Sequence, residues 1–159
     1  MTFIPLKINS KQLCEIFTPE AVTQMDDAAK MEYSLRNQMF PTEVNNTSET
    51  YSRDAERTAD YELEDLLIVN RKTKPEFTWQ LIKAEYVQKL LSFLNYHYNF
   101  KNASGDIIPE DAPNIEIIYY DFVGTRIINT YLGQTISGTL VVYNDTLYWE
   151  NFRIAFPER

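Results

Sequence analysis

A single cysteine, Cys14, and a single histidine, His97, are all that this chain holds of the side chains that most often make disulfides, bind metals or shuttle protons. One thiol cannot close an internal disulfide. The HExxH, CxxC and compact acidic calcium-loop spacings are also missing, so neither a zinc nor a calcium site is expected, and no cofactor. No apolar run approaches the roughly 20 residues that span a bilayer, and no cationic, apolar, small-residue leader opens the chain. The expectation is a soluble protein folded in a cytoplasm, with no membrane partner. Positive charge is scarce: 15 Lys and Arg stand against 23 Asp and Glu, a net charge of −8. Such a surface does not neutralise phosphates in general, which argues against specific nucleic-acid binding. An acidic wall can still let a duplex pass without sticking.

What is present points to one domain spanning residues 1–159. The chain is 44% hydrophobic, and its eleven Tyr and nine Phe favour pleated, half-buried surfaces and flat contact faces. The pattern predicts an α+β fold, mostly β: a small β-sandwich or barrel-like sheet with one flanking helix and a helical N-terminal insertion. Near the N-terminus, Leu6 to Asn9 and Leu13 to Ile16 flank Ser10-Lys11-Gln12 and suggest a hairpin. Thr18-Pro19-Glu20 carries three helix-start signals, and Val22, Met25, Ala29 and Tyr33 follow at helical spacing, so a helix is expected from Pro19 to about Arg36. From Pro41 to Asp60 the sequence is polar, with Val44 and Tyr51 its only sizeable apolar residues, and a long loop is expected. The inserted helix and loop together occupy about 18–52.

Tyr61 to Val69 and Phe77 to Leu81 resemble strands joined by a polar turn, Asn70 to Pro75. They lead into an amphipathic helix, Lys83 to Leu94, whose Val87, Leu90, Leu91 and Leu94 share one face. A second long loop is expected at about 95–114. The remainder alternates as strands: Ile115 to Tyr120, Arg126 to Leu132, Gly138 to Tyr143 and Leu147 to Phe156, with turns at Gly124, Gly133 and Asn144-Asp145. The last of these is expected to be integral to the sheet.

Ser52 to Leu94 and Leu147 to Arg159 resemble a family of small tail proteins of bacteriophages infecting low-GC bacteria. The match covers roughly a third to a half of the chain. Its carriers are Ala55-Glu56-Arg57 before a strand, the basic turn, the strand ending near Trp79, the Leu-rich helix, and an ending made of Trp149, Phe152 to Phe156 and Glu158-Arg159. Two positions depart from the family pattern: Lys83 stands where a hydroxyl cap is expected, and Asp121 lies in Tyr120-Asp121-Phe122 rather than beside a proline. The resemblance implies a structural virion protein, made in the host cytoplasm, that assembles as a ring in the tail tube, the distal tail or baseplate, or the connector. Its partners would be other copies of itself and neighbouring tail proteins, with DNA passing through a lumen.

Within that reading, Arg53, Arg57, Arg71, Lys72 and Lys74 are candidates to pair with acids of a neighbouring subunit, against the plainer role of solvated turn and edge charges. Glu62 and Glu64 share a strand face and are candidate lumen acids. Trp79 and Trp149 read more readily as core than as interface anchors. His97, between Tyr96 and Tyr98, reads as helix-end packing. Asp26 and Asp27 point in different directions from a helix and do not form a catalytic pair. Tyr119, Tyr120, Tyr131, Tyr143 and Tyr148 divide between the two faces of the C-terminal strands. A tyrosine-lined module binding host-surface glycan or protein is the alternative function, and a small hydrolase a distant third. An enzyme is not expected.

Overall fold

A computed structural model describes residues 3–52, 68–96 and 114–159. The strands are β1 (Leu6–Ile8), β2 (Lys11–Gln12), β3 (Glu43–Ser52), β4 (Ile68–Lys83), β5 (Ile115–Asp121), β6 (Gly124–Thr130), β7 (Ile136–Tyr143) and β8 (Thr146–Ala155). Three helices accompany them: α1 (Leu13–Phe17), α2 (Asp27–Arg36) and α3 (Ala84–Phe93). Two four-stranded antiparallel sheets result, ordered β2-β1-β5-β6 and β3-β4-β8-β7. The fold is α+β and mostly β, as the sequence predicts.

One core joins both sheets. Ile8, Ile117, Tyr119 and Ile128 from the first sheet meet Phe77, Trp79, Phe152 and Ile154 from the second. The Phe77 and Tyr119 rings touch edge to face at 6.2 Å across the seam. Helix α3 adds Tyr86, Val87 and Leu90, and Tyr86 stacks on Phe17 of α1 with centroids 5.1 Å apart. This is the expected helix, shorter by one residue at each end, with Lys83 at its N-cap and no side-chain cap bond.

Two N-terminal expectations change. The first hairpin turns at Asn9-Ser10, both at positive φ, and its second arm is only Lys11–Gln12. Leu13 to Phe17 is helical because Leu13, Cys14, Ile16 and Phe17 are all buried, a spacing that a strand would split between two faces. The Glu15 carboxylate also accepts the Gln12 N–H at 2.8 Å, capping the turn. The helix expected from Pro19 to Arg36 is a 3₁₀ turn, Pro19–Ala21, followed by α2. Asp26 supersedes Thr18 as the cap: its Oδ1 accepts the Ala29 N–H at 2.8 Å and restarts the helix after Val22 has been buried.

The larger correction concerns the expected long loop and basic turn. Glu43 to Ser52 is not a loop but the edge strand β3, and Asn70 to Pro75 is not a turn but the middle of the sixteen-residue β4 that pairs with it. An edge strand with one wet face needs few apolar residues, so polarity did not forbid it. Within β4, Lys72, Lys74 and Glu76 alternate with buried Thr73, Pro75 and Phe77. Pro75 is tolerated where β8 ends, its carbonyl accepting the Phe156 N–H at 2.9 Å. Of the strand expected at Tyr61 to Val69, Ile68 and Val69 belong to β4, and 61–67 lie outside the described residues, as do 97–113 of the second expected loop.

The four C-terminal strands form, with β6 shifted two residues earlier at both ends and β7 beginning two residues earlier than expected, and β8 is interior to its sheet between β4 and β7. Asn144 and Asp145, at φ 50° and 61°, make the two-residue β7–β8 turn. Asn151 (φ 54°) shifts the phase of β8: Phe152 and Ile154 are buried on one side of it, while Trp149 packs against the core on the other.

Candidate subunit interface

Of the five basic residues, Arg71, Lys72 and Lys74 lie on strand β4 rather than on a turn. Arg53 and Arg57 lie outside the described residues, as do Glu62, Glu64 and His97. Arg71, Lys72 and Lys74 lie along β4 opposite Thr50, Glu49 and Thr47 of β3. Lys74 is exposed and Lys72 half-buried, so these two belong to the outer surface of the β3–β4 pair. Trp79 is core, its Nε1 donating to the Met39 carbonyl at 2.8 Å. Trp149 is only partly buried. The tyrosines divide: Tyr119 is buried, Tyr120 and Tyr143 are exposed, and Tyr131 and Tyr148 are intermediate.

The densest polar construction is one that the sequence reading did not assemble. The Asp121 carboxylate, at the end of β5, accepts hydrogen bonds from Arg126 Nη1 (2.6 Å), Tyr119 OH (3.1 Å), Asn46 Nδ2 (2.8 Å) and the Phe122 N–H. Burial works against its charge, and the hydrogen bonds from Arg126, Phe122 and Tyr119 outweigh it, so its pKa falls below the usual aspartate value. The bond to Asp121 raises the Arg126 pKa in turn. Burial raises the Tyr119 pKa, and its hydroxyl oxygen also lies 3.0 Å from Thr73 Oγ1. Glu158 completes the network, accepting the Thr73 N–H at 2.9 Å and lying 3.6 Å from Arg126 Nη2. The Asp121 noted in the sequence as a departure and the terminal Glu158 thus meet at the seam between the sheets. Their signal was faint because they are 37 residues apart in the chain.

This network holds an exposed apolar turn. Phe122 and Val123 stand 72% and 84% exposed at its tip, with Tyr120 and Ile127 exposed beside them. Next to the turn lies a cleft of about 590 Å³, lined by Phe3, Ile4, Pro5, Val44, Tyr120 and Phe122 together with Asn46 and Asp121. A second apolar surface lies on the β7–β8 hairpin. Leu140, Val142 and Leu147 are each half or more exposed and share one face, since Val142 pairs with Leu147 and Leu140 with Trp149. The two surfaces are far apart: the turn is bonded to Asn46, opposite Pro75, whereas the hairpin lies beside Lys83. Eight residues of β4 at roughly 3.3 Å each separate them by about 25 Å. Both are the kind of surface that proteins cover with partners.

Among the described residues, no group of three or more His, Cys, Asp or Glu could hold a metal ion, and no helix is long and apolar enough to cross a membrane. Cys14 is buried, its Sγ beside the Lys30 carbonyl at 3.5 Å. Against family models, curated proteins and solved structures alike, the chain matches none.

Proposed function

We propose that this protein is a structural component of a bacteriophage tail that assembles as a ring, in the tube, the distal tail or baseplate, or the connector. The observation that supports it best is the pair of open edges on one sheet. Strands β3 and β7 are its two outer strands, and no described strand pairs with the far side of either. Strand β7 lies in a run, Ile127 to Asn144, without a single charged residue, whereas edges meant to stay free are often guarded by charge. Because four antiparallel strands alternate in direction, rotation about an axis inclined to the strands sets β7 of one copy antiparallel to β3 of the next. That contact is head to tail and closes on itself by cyclic symmetry. The partners are further copies and neighbouring tail proteins, Lys72 and Lys74 fall on the β3–β4 surface near such a joint, and Glu62 and Glu64 are the candidates for an acidic lumen.

The test is the mass of the purified protein by light scattering after size exclusion, over a concentration series and with other tail proteins added. A discrete ring-sized species is expected. A monomer under all of these conditions would overturn the reading.

A further inference from the structure

We infer that the β7–β8 hairpin of one copy docks its apolar side, Leu140, Val142 and Leu147, against the turn between β5 and β6 of the next copy and into the cleft beside that turn. This rests on the ring reading above. Three observations converge on it. First, the turn is prebuilt: four hydrogen bonds to one buried carboxylate hold in place a tip whose Phe122 and Val123 face outward. A recognition element ordered in advance loses little conformational entropy when it binds.

Second, the two surfaces cannot cover each other within a subunit, being about 25 Å apart along β4 at the spacing of extended backbone. Across a β7-to-β3 joint they come together. Antiparallel pairing brings the end of β7, Tyr143, toward the beginning of β3, where Val44 and Asn46 line the cleft that Tyr120 and Phe122 close. A cleft of about 590 Å³ has room for two or three aliphatic side chains, and its walls there are Phe, Ile, Pro and Val.

Third, the area is too small for a free-standing pair. The exposed turn offers roughly 400 Å² of apolar side chain, against the roughly 800 Å² per partner that stable interfaces bury. The contact therefore suits a subunit that joins two neighbours by strand edges as well, in which each modest contact is repeated around the ring.

Two double variants test this: Phe122→Ser with Val123→Ser, and Leu140→Ser with Leu147→Ser. All four side chains are half or more exposed, so circular dichroism and the melting temperature are expected to stay at the wild-type values, while each variant alone runs as a monomer where the wild type assembles. Mixed, the two variants retain one intact turn and one intact hairpin between them, and a 1:1 pair with nothing larger is expected. If the wild type assembles and the turn variant assembles equally well, the docking inference is overturned and the ring reading stands. If each variant alone still forms a two-fold dimer, the contact is not head to tail and the inference is likewise overturned. A wild type that stays monomeric throughout overturns both. Cosedimentation of the wild type with phosphatidylcholine vesicles, lost in the Phe122 and Val123 variant, would assign the turn to a bilayer surface and overturn the inference in favour of lipid.

Discussion

Asp121 and Arg126 form a 2.6 Å ion pair across the β5–β6 turn, with the carboxylate 3% and the guanidinium 31% exposed. The acid also serves Tyr119, Asn46 and the Phe122 N–H, so removing it takes an acceptor from four donors at once. Breaking one side of a buried pair typically costs about 3 kcal/mol. Asp121→Ala is therefore expected to lower the melting temperature by roughly 6–12 °C for a chain of this size. A urea titration showing less than about 1 kcal/mol of loss would count against the network as a stabilising feature.

The same carboxylate sets an acid dependence. Its folded-state pKa lies below the unfolded aspartate value of about 3.9, so in the interval between them the unfolded chain binds more protons. The stability it contributes is present above about pH 4 and is lost as pH falls through the folded value. Glu15 acts in the same direction: burial opposes its charge, and the Lys30 ammonium and the Gln12 N–H outweigh that effect. Urea midpoints measured from pH 6 down to pH 3 are expected to fall more steeply for the wild type than for Asp121→Asn.

Glu158 ties the end of the chain to the middle of β4. It accepts both the N–H and the hydroxyl of Thr73, at 2.9 and 3.2 Å. A double-mutant cycle on Thr73→Val and Glu158→Ala is expected to give a coupling of about 1.5 kcal/mol, the low end for a hydrogen bond to a charged group, as suits a partly buried site. A coupling indistinguishable from zero would mean that the two residues act independently.

Trp79 anchors the entry to β3 through the Met39 carbonyl, which its ring nitrogen reaches at 2.8 Å within the core. Trp79→Phe removes that donor and leaves a void, for an expected loss of about 2–3 kcal/mol. Fluorescence offers an independent check. The emission remaining in Trp79→Phe comes from the partly buried Trp149 and is expected to be red-shifted and more readily quenched by acrylamide than that of Trp149→Phe.

Much of the C-terminal half could be read from the sequence because its information is local. The alternation of Ile115 to Tyr120 and of Phe152 to Phe156, and the Asn144-Asp145 turn, each specify their conformation within a few residues. Helix α3 was equally legible, since Val87, Leu90 and Leu94 lie on one face whatever that face is packed against. The α1 segment was not, because Leu13, Cys14, Ile16 and Phe17 suit a short strand or a short helix, and the choice followed from what lay around them.

The amino-acid sequence by itself determined a mostly β chain, the four C-terminal strands and the helix packed on them, because periodicity and turn chemistry act over short range. Only the tertiary structure decided that the polar stretch from Glu43 to Ser52 is a strand, since an edge strand takes its conformation from backbone bonds to β4 rather than from its own side chains. Only the tertiary structure brought Asp121, Arg126, Thr73 and Glu158 together at one seam. Such a site is written in residues that are distant along the chain, and the packing of two sheets is what makes them neighbours.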